Sequence, residues 1–292
     1  MTSEGIALVD KPPGWTSHDV VAKSRGLLGT RKVGHAGTLD PDATGLLILG
    51  VGRATRLLTF LSGLDKTYTG EAVLGVATSS LDASGEVTGT WDMDAVTPDE
   101  VRATAADLTG TIRQVPPMVS AKKVGGRRLH ELARAGVEVE REAVEVRVTT
   151  FDVGDPVAAG VLPFVVTCSS GTYVRSLVAD LGTALGGGAH LRHLRRMAIG
   201  RFTVGEAVPL ESLAPERLLP PLAAFRGHEP TLVDDDVAAM VRNGRVLPGE
   251  HFAAAGDPPW PVVDGTHALI AVYVPHREGT AKPAVVLGSA DG

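Results

Sequence analysis

The sequence has a single cysteine, Cys168, few aromatic side chains and no long apolar run. A lone thiol cannot close an internal disulfide, and in an apolar segment it reads as core. The opening MTSEGIALVDKPPGW lacks the basic start and apolar stretch of a secretory signal, and nothing approaches the roughly 18 to 20 apolar residues that span a bilayer. A cytoplasmic protein with no membrane role is expected. Aromatics make up 4% of 292 residues, so Leu, Val and Ala must build the core, and each Tyr or Trp in a polar setting is informative. A basic surplus is also missing: the net charge is -6, which at first argues against a nucleic-acid partner.

The distribution of charge matters more than its sum. Between Asp82 and Asp107 seven acids face one base, Arg102, a local balance of -6 that leaves the remainder neutral. Within that remainder the bases cluster: Lys23, Arg25, Arg31 and Lys32; Arg53 and Arg56; Lys122, Lys123, Arg127 and Arg128; Arg192, Arg195, Arg196 and Arg201. Four clusters beside glycine-rich loops read as a split phosphate-binding track. The chain is longer than a typical single domain, so one large domain and one small one are expected.

In chain order, residues 5–10 predict a strand, ended by KPPGWTS, with Ser17 as the cap of a following helix. GHAGTLDPDATGLL, residues 34–47, comes next. Gly34, Gly37 and Gly45 permit positive φ or close backbone approach, and Pro41 pushes Asp40 away from helical dihedrals. A rigid loop presenting Asp40 is expected. Residues 46–49 predict a buried strand, 53–61 a short helix, and 67–76 an alternating strand with Tyr68 near its start. Thr97 and Pro98 open a helix reaching about Leu108. Residues 113–141 hold a Pro-Pro turn, KKVGGRR and HELARAG, too little apolar surface for a core of their own, and predict an arm that orders on a partner. Residues 144–153 and 162–169 predict strands of one sheet, with Arg175 where SSGTYVRSLVADLG turns from strand to helix. The tail from Pro230 reads as a small β domain.

Three chemistries compete for the central loop. Asp40, Asp42, Thr44 and Gly45 match the front of a calcium loop, but the twelfth position is Val51 rather than a bidentate glutamate. Asp40-x-Asp42-x-Thr44 also matches the aspartyl nucleophile of haloacid-dehalogenase-type phosphotransferases, which needs an apolar strand directly before the aspartate; GHAGTL stands there instead. The third reading is an RNA-modifying enzyme. The same loop, together with LVDKPPGWTSHDVV, DKTYTGEAVLG, QVPPMVSAKKVGGRRLHELARAG and CSSGTYVRSLVADLG, resembles the bacterial TruB-type tRNA pseudouridine synthases, in order, from about Leu8 to Gly200.

That resemblance implies isomerisation of the uridine at position 55 of the tRNA T-loop, without metal or organic cofactor. It also implies an α+β pseudouridine-synthase fold with a mixed, largely antiparallel sheet and central cleft. Residues 1–228 would be catalytic, including the RNA-binding arm 113–142, and 229–292 a small PUA-like domain. Asp40 would be the catalytic carboxylate, Tyr68 the ring stacked on the flipped uracil, and Arg175 the partner of Asp40. Tyr173 and Leu194 would line the substrate pocket, and His35 would enter the RNA fold where the uridine leaves. Arg56 and the arm residues Lys122, Lys123, Arg127 and Arg128 would meet phosphate. Asp42 departs from the apolar residue common at its position, and is expected to point away from Asp40. The partner is the T-stem-loop of tRNA, and a monomer is expected. A different class, an RNA-binding module without catalysis, is disfavoured by the intact Asp40, Tyr68 and Arg175 set.

Overall fold

The structure, a computed structural model, describes residues 4–117, 123–124, 127–128, 139, 141–252 and 254–288. The chain divides into two compact units, one of Met1–Pro41, Leu46–Ser62 and Arg201–Gly292, the other of Asp42–Gly45 and Gly63–Gly200.

The first unit opens with β1 (Gly5–Lys11), buried from Gly5 to Val9 as its unbroken apolar run requires. Pro12 and Pro13 stop it and α1 (Ser17–Leu27) follows. Thr16 is the cap: its hydroxyl accepts from the Asp19 N–H while the Asp19 carboxylate accepts from the Thr16 N–H. Ser17, the cap expected from sequence, lies one residue inside the helix with its hydroxyl engaged elsewhere. β2 (Val33–His35) and β3 (Thr44–Val51) pair antiparallel, Val33 with Val51 and His35 with Leu49, and the loop between them carries Asp40. The helix expected over 53–61 is a 3-10 turn, Gly52–Leu57, continued by α2 (Leu58–Ser62). Ala7, Val9, Val20, Val21, Leu47 and Leu49 form the core here.

In the second unit β4 (Lys66–Leu74) shows the alternating burial its sequence predicts. β5 (Val76–Thr78) and β6 (Val87–Thr90) make a small hairpin. α3 (Pro98–Asp107) has Thr97 and Glu100 in a reciprocal capping box. β7 (Gly110–Gln114), β8 (Lys123–Val124), β9 (Arg127–Arg128), β10 (Val144–Val153), β11 (Val161–Cys168), α4 (Val174–Ala184) and β12 (Ala189–Ile199) complete it. The sheet order is β12-β4-β11-β10-β7, antiparallel throughout.

β12 was not evident from sequence, because its arginines and histidines interrupt the apolar pattern and its register is bulged. Pairing with β4 skips between Arg192 and Arg195, and again between Arg196 and Ala198, with His193 at φ 55° inside the first bulge. Thr44 and Gly45 run parallel to Arg195 and Arg196. A Cβ at Gly45 would sit 2.3 Å from the Arg196 carbonyl oxygen, and the residue's φ is +100°. This glycine is demanded by its neighbour as well as by its own dihedral.

The chain returns to the first unit through β13 (Phe202–Thr203) and β14 (Val208–Pro209), the latter parallel to β1. The tail forms β15 (Thr231–Leu232), α5 (Asp235–Arg242), β16 (Leu247–Pro248), β17 (Trp260–Val263), β18 (Leu269–Pro275) and β19 (Thr280–Val286). Its five strands run β15-β17-β18-β19-β16. The Phe252 ring stacks on Trp260 at 5.0 Å and on Tyr273 at 5.2 Å, concentrating scarce aromatics in this core. The β reading of the tail missed α5, capped by Asp234. Among the described residues no helix is long and apolar enough to cross a membrane.

Gly45→Ala should therefore lower the urea-unfolding free energy by well over 2 kcal/mol, combining backbone strain and overlap. Gly14→Ala is the control: φ is +79° there with no atom within 4 Å of the added Cβ, so a loss of about 1 kcal/mol is expected. Equal losses would show that the Gly45 contact is unimportant.

Candidate active site

The loop carrying Asp40 is built from its neighbours inward. The Ala36 N–H donates to the Ile48 carbonyl at 2.9 Å, extending the β2–β3 pairing to the loop's first residue. Leu39 is buried, and both its main-chain polar groups meet Ser17: its N–H donates to Oγ at 2.8 Å, and Oγ donates to its carbonyl at 3.2 Å. On the other side of Asp40 the Pro41 carbonyl accepts from Lys11 Nζ at 2.8 Å and from the Gly14 N–H at 3.0 Å. Lys11 is fully buried; Nζ also donates to the carbonyls of Pro12 at 2.9 Å and Trp15 at 2.6 Å. An ammonium has three protons, and three carbonyls receive them. Asp40 is half-buried and Asp42 is exposed.

No strand runs directly into Asp40, since residues 36–39 are irregular, and residues 44–51 are strand rather than the second half of a cation loop. The phosphotransferase and calcium readings therefore lack their scaffolds.

In the second unit Tyr68 is 8% exposed on β4, paired with Val166 on one side and Arg196 on the other. Lys66, Tyr68, Gly70 and Ala72 share its buried face. Arg175, in the first turn of α4, is buried; Nη1 donates to the Ser80 carbonyl at 3.0 Å and lies 3.6 Å from an Asp82 carboxylate oxygen. Asp82 is fixed in turn by the Ser80 and Ser84 hydroxyls at 2.6 Å each. The acidic turn 79–90 thus supplies a carboxylate to Arg175 that sequence reasoning did not anticipate. Tyr173 precedes α4, and its N–H donates to Gln114 Oε1 at 2.7 Å. Leu194 lies half-buried in the first bulge of β12.

Three buried cations escaped the sequence reading: Lys11, Lys66 and Arg196. Arg196 is fully buried and so cannot belong to a surface phosphate track, as its cluster suggested. Arg192 in the same cluster pairs with Glu71 at 2.7 Å. Arg53 binds Glu4 and the carbonyls of Leu287 and Gly288, while exposed Arg56 donates to the Val286 carbonyl at 2.5 Å. These two arginines hold the end of the tail. His35 is half-buried, its ring edge-on to that of His18 at 5.4 Å. Lys122 lies outside the described residues. Lys123 and Arg128 are register partners in β8 and β9, with Arg127 opposite Val124. Cys168 is buried, and burial pushes its thiol up to about 11, leaving it the inert core residue expected.

Residues 25–174 match the TruB family pseudouridylate synthase N-terminal domain, and residues 175–219 match the tRNA pseudouridylate synthase B C-terminal domain. The chain is 45% identical over 296 residues to a protein named tRNA pseudouridine synthase B from Arthrobacter sp. (strain FB24), covering 97% of this chain and 96% of that one. It is 44% identical over 294 residues to a protein of the same name from Thermobifida fusca (strain YX), covering 97% and 98%. Among solved structures, one described as a Cbf5-Nop10-Gar1 complex aligns with a TM-score of 0.73 at 25% identity, covering 95% of this chain and 80% of that one. The α+β fold expected from sequence is thereby shown.

Lys66 is a buried basic group whose proton affinity is clearly displaced. Burial first, and then the Arg196 guanidinium, lower its pKa to about 8. The unfolded chain then holds a proton that the folded one lacks between about pH 8 and the ordinary lysine value of 10.5. Stability from this group rises with pH across that window. The thermal midpoint of the parent relative to Lys66→Met should accordingly increase from pH 8 to pH 10; a flat difference would show that Lys66 titrates normally.

Proposed function

The chain belongs to the TruB family of pseudouridylate synthases, and on that premise we propose that it converts uridine to pseudouridine at position 55, in the T-loop of transfer RNA, with Asp40 as the catalytic carboxylate. The observation that carries this reading is the family's aspartate on a loop whose main chain is gripped at both adjacent residues, Leu39 and Pro41. Such a grip suits a group that must meet one atom of a substrate.

The reaction breaks the bond from uracil N1 to ribose C1′, turns the base, and forms the C5–C1′ bond. N1 ends with a proton, and the hydrogen at C5 leaves to solvent. Nothing is oxidised and no phosphoryl group moves, so a carboxylate suffices as nucleophile at the sugar or the base, or as the base removing a ribose proton. The uridine must first leave its stack, at a cost of a few kcal/mol. Tyr68 receives the flipped uracil, a contact worth about 1 to 3 kcal/mol for a base on an aromatic ring. Tyr173 and Leu194 complete the pocket, and Arg175 pairs with Asp40, favouring its ionised form. His35 takes the place that the uridine vacates. Arg56, Lys122, Lys123, Arg127 and Arg128 meet phosphates, the last four on the arm 113–142.

The protein acts as a cytoplasmic monomer. Its catalytic domain is 1–228, and 229–292 is a PUA-like domain, a division supported by the tail's own sheet and core.

A tRNA transcript tritiated at uracil C5 tests the reaction, because isomerisation releases that label and binding alone does not. Asp40→Asn should abolish release while tRNA affinity stays within a few-fold of the parent; retained turnover would refute the assignment, and binding without release by the parent would favour the non-catalytic class. Replacing Lys122, Lys123, Arg127 and Arg128 together by Ala should weaken tRNA binding and flatten the dependence of log K on log salt. An unchanged slope would mean that the arm does not meet phosphate.

A further inference from the structure

Ser17 has no assigned role in the reaction, yet it is fully buried and its hydroxyl is committed to one distant residue. Its Oγ accepts the Leu39 N–H at 2.8 Å and donates to the Leu39 carbonyl at 3.2 Å, across 22 residues of chain. A hydroxyl has one proton to give and lone pairs to receive, so both bonds are satisfied at once. Two-point attachment fixes the φ and ψ of Leu39, and with them the direction in which the chain enters Asp40. The hydroxyl itself has little freedom. Ser17 sits at the first helical position of α1, whose start is locked by the Thr16–Asp19 capping box. Pro41 restricts Asp40 from the other side.

We propose that Ser17 is a positioning residue for the isomerisation: its hydroxyl holds Leu39 so that the Asp40 carboxylate meets the uridine in reacting geometry. This rests on Asp40 being the catalytic carboxylate. Removing the hydroxyl leaves a buried N–H and carbonyl without partners and lets the loop relax, and displacement of a catalytic group by about 1 Å can cost 100-fold in rate.

Ser24 provides a matched control. It is also fully buried on α1, and its hydroxyl donates to the Val20 carbonyl at 2.7 Å, away from the loop. Single-turnover release of tritium from C5-labelled tRNA is measured beside tRNA affinity and thermal midpoint. Ser17→Ala should lose roughly 10- to 100-fold in the single-turnover rate with affinity within about two-fold of the parent. Ser24→Ala should keep the parental rate whatever it loses in midpoint. Ser17→Thr, which retains the hydroxyl, should recover most of the loss, and Ser17→Cys, close in shape but a weak bonding partner, should not. If Ser17→Ala does not fold, the Cys variant carries the test. A parental rate in Ser17→Ala or Ser17→Cys, or an equal loss in Ser24→Ala, overturns the proposal. Turnover by Asp40→Asn would instead remove the reading beneath it, so the two failures are distinct.

Discussion

A buried ammonium donating to three carbonyls is the constraint on which the loop carrying Asp40 depends. Taking an ammonium out of water costs several kcal/mol, and the cost is offset only where its hydrogen bonds are replaced in full. Lys11 meets that condition with Pro12, Trp15 and Pro41. Because Pro41 is 30 residues away in sequence, the same charge folds KPPGW into a tight turn and ties the residue after Asp40 to it. Ser17 does the equivalent for the residue before. The main chain on both sides of Asp40 is thereby fixed, which is the kind of pre-organisation that the role proposed for its carboxylate requires.

The second unit solves a related problem in a sheet. Tyr68, Arg196 and Lys66 are brought together by the pairing of β4 with β12, and the bulges in β12 decide which side chains face which way. A regular strand alternates strictly, so Leu194 and Arg196 would share a face; each extra residue resets the alternation. The close passage of Gly45 against the Arg196 main chain requires both a missing Cβ and a left-handed dihedral. Burial, and then the charge of Arg196, lower the proton affinity of Lys66.

Charge on this chain is therefore divided by location rather than by count. Arg53, Arg192 and Arg196, which read as phosphate contacts, serve the fold: one ties down the tail, one pairs with a glutamate and one is buried. The acidic surplus between Asp82 and Asp107 is partly structural too, since Asp82 supports Arg175 and Asp99 engages Arg102. A surface that binds RNA with a net negative chain can do so when its acids are occupied or placed elsewhere.

The sequence by itself determined the local elements and the reaction class. Unbroken apolar runs marked β1 and β3, alternation marked β4 and Thr97-Pro98 marked α3, because each depends on residues adjacent in the chain; the reaction class came from the resemblance of several separate motifs in order. Asp40, Tyr68 and Arg175 were singled out only through that resemblance. Tertiary structure alone decided that residues 189–199 form a strand despite their arginines, that Thr16 rather than Ser17 caps α1, and that Lys11, Lys66 and Arg196 are buried. The physical reason is shared: whether a polar side chain lies inside depends on finding hydrogen-bond partners far along the chain, and no local pattern records where a carbonyl such as that of Leu39 or Pro41 will be.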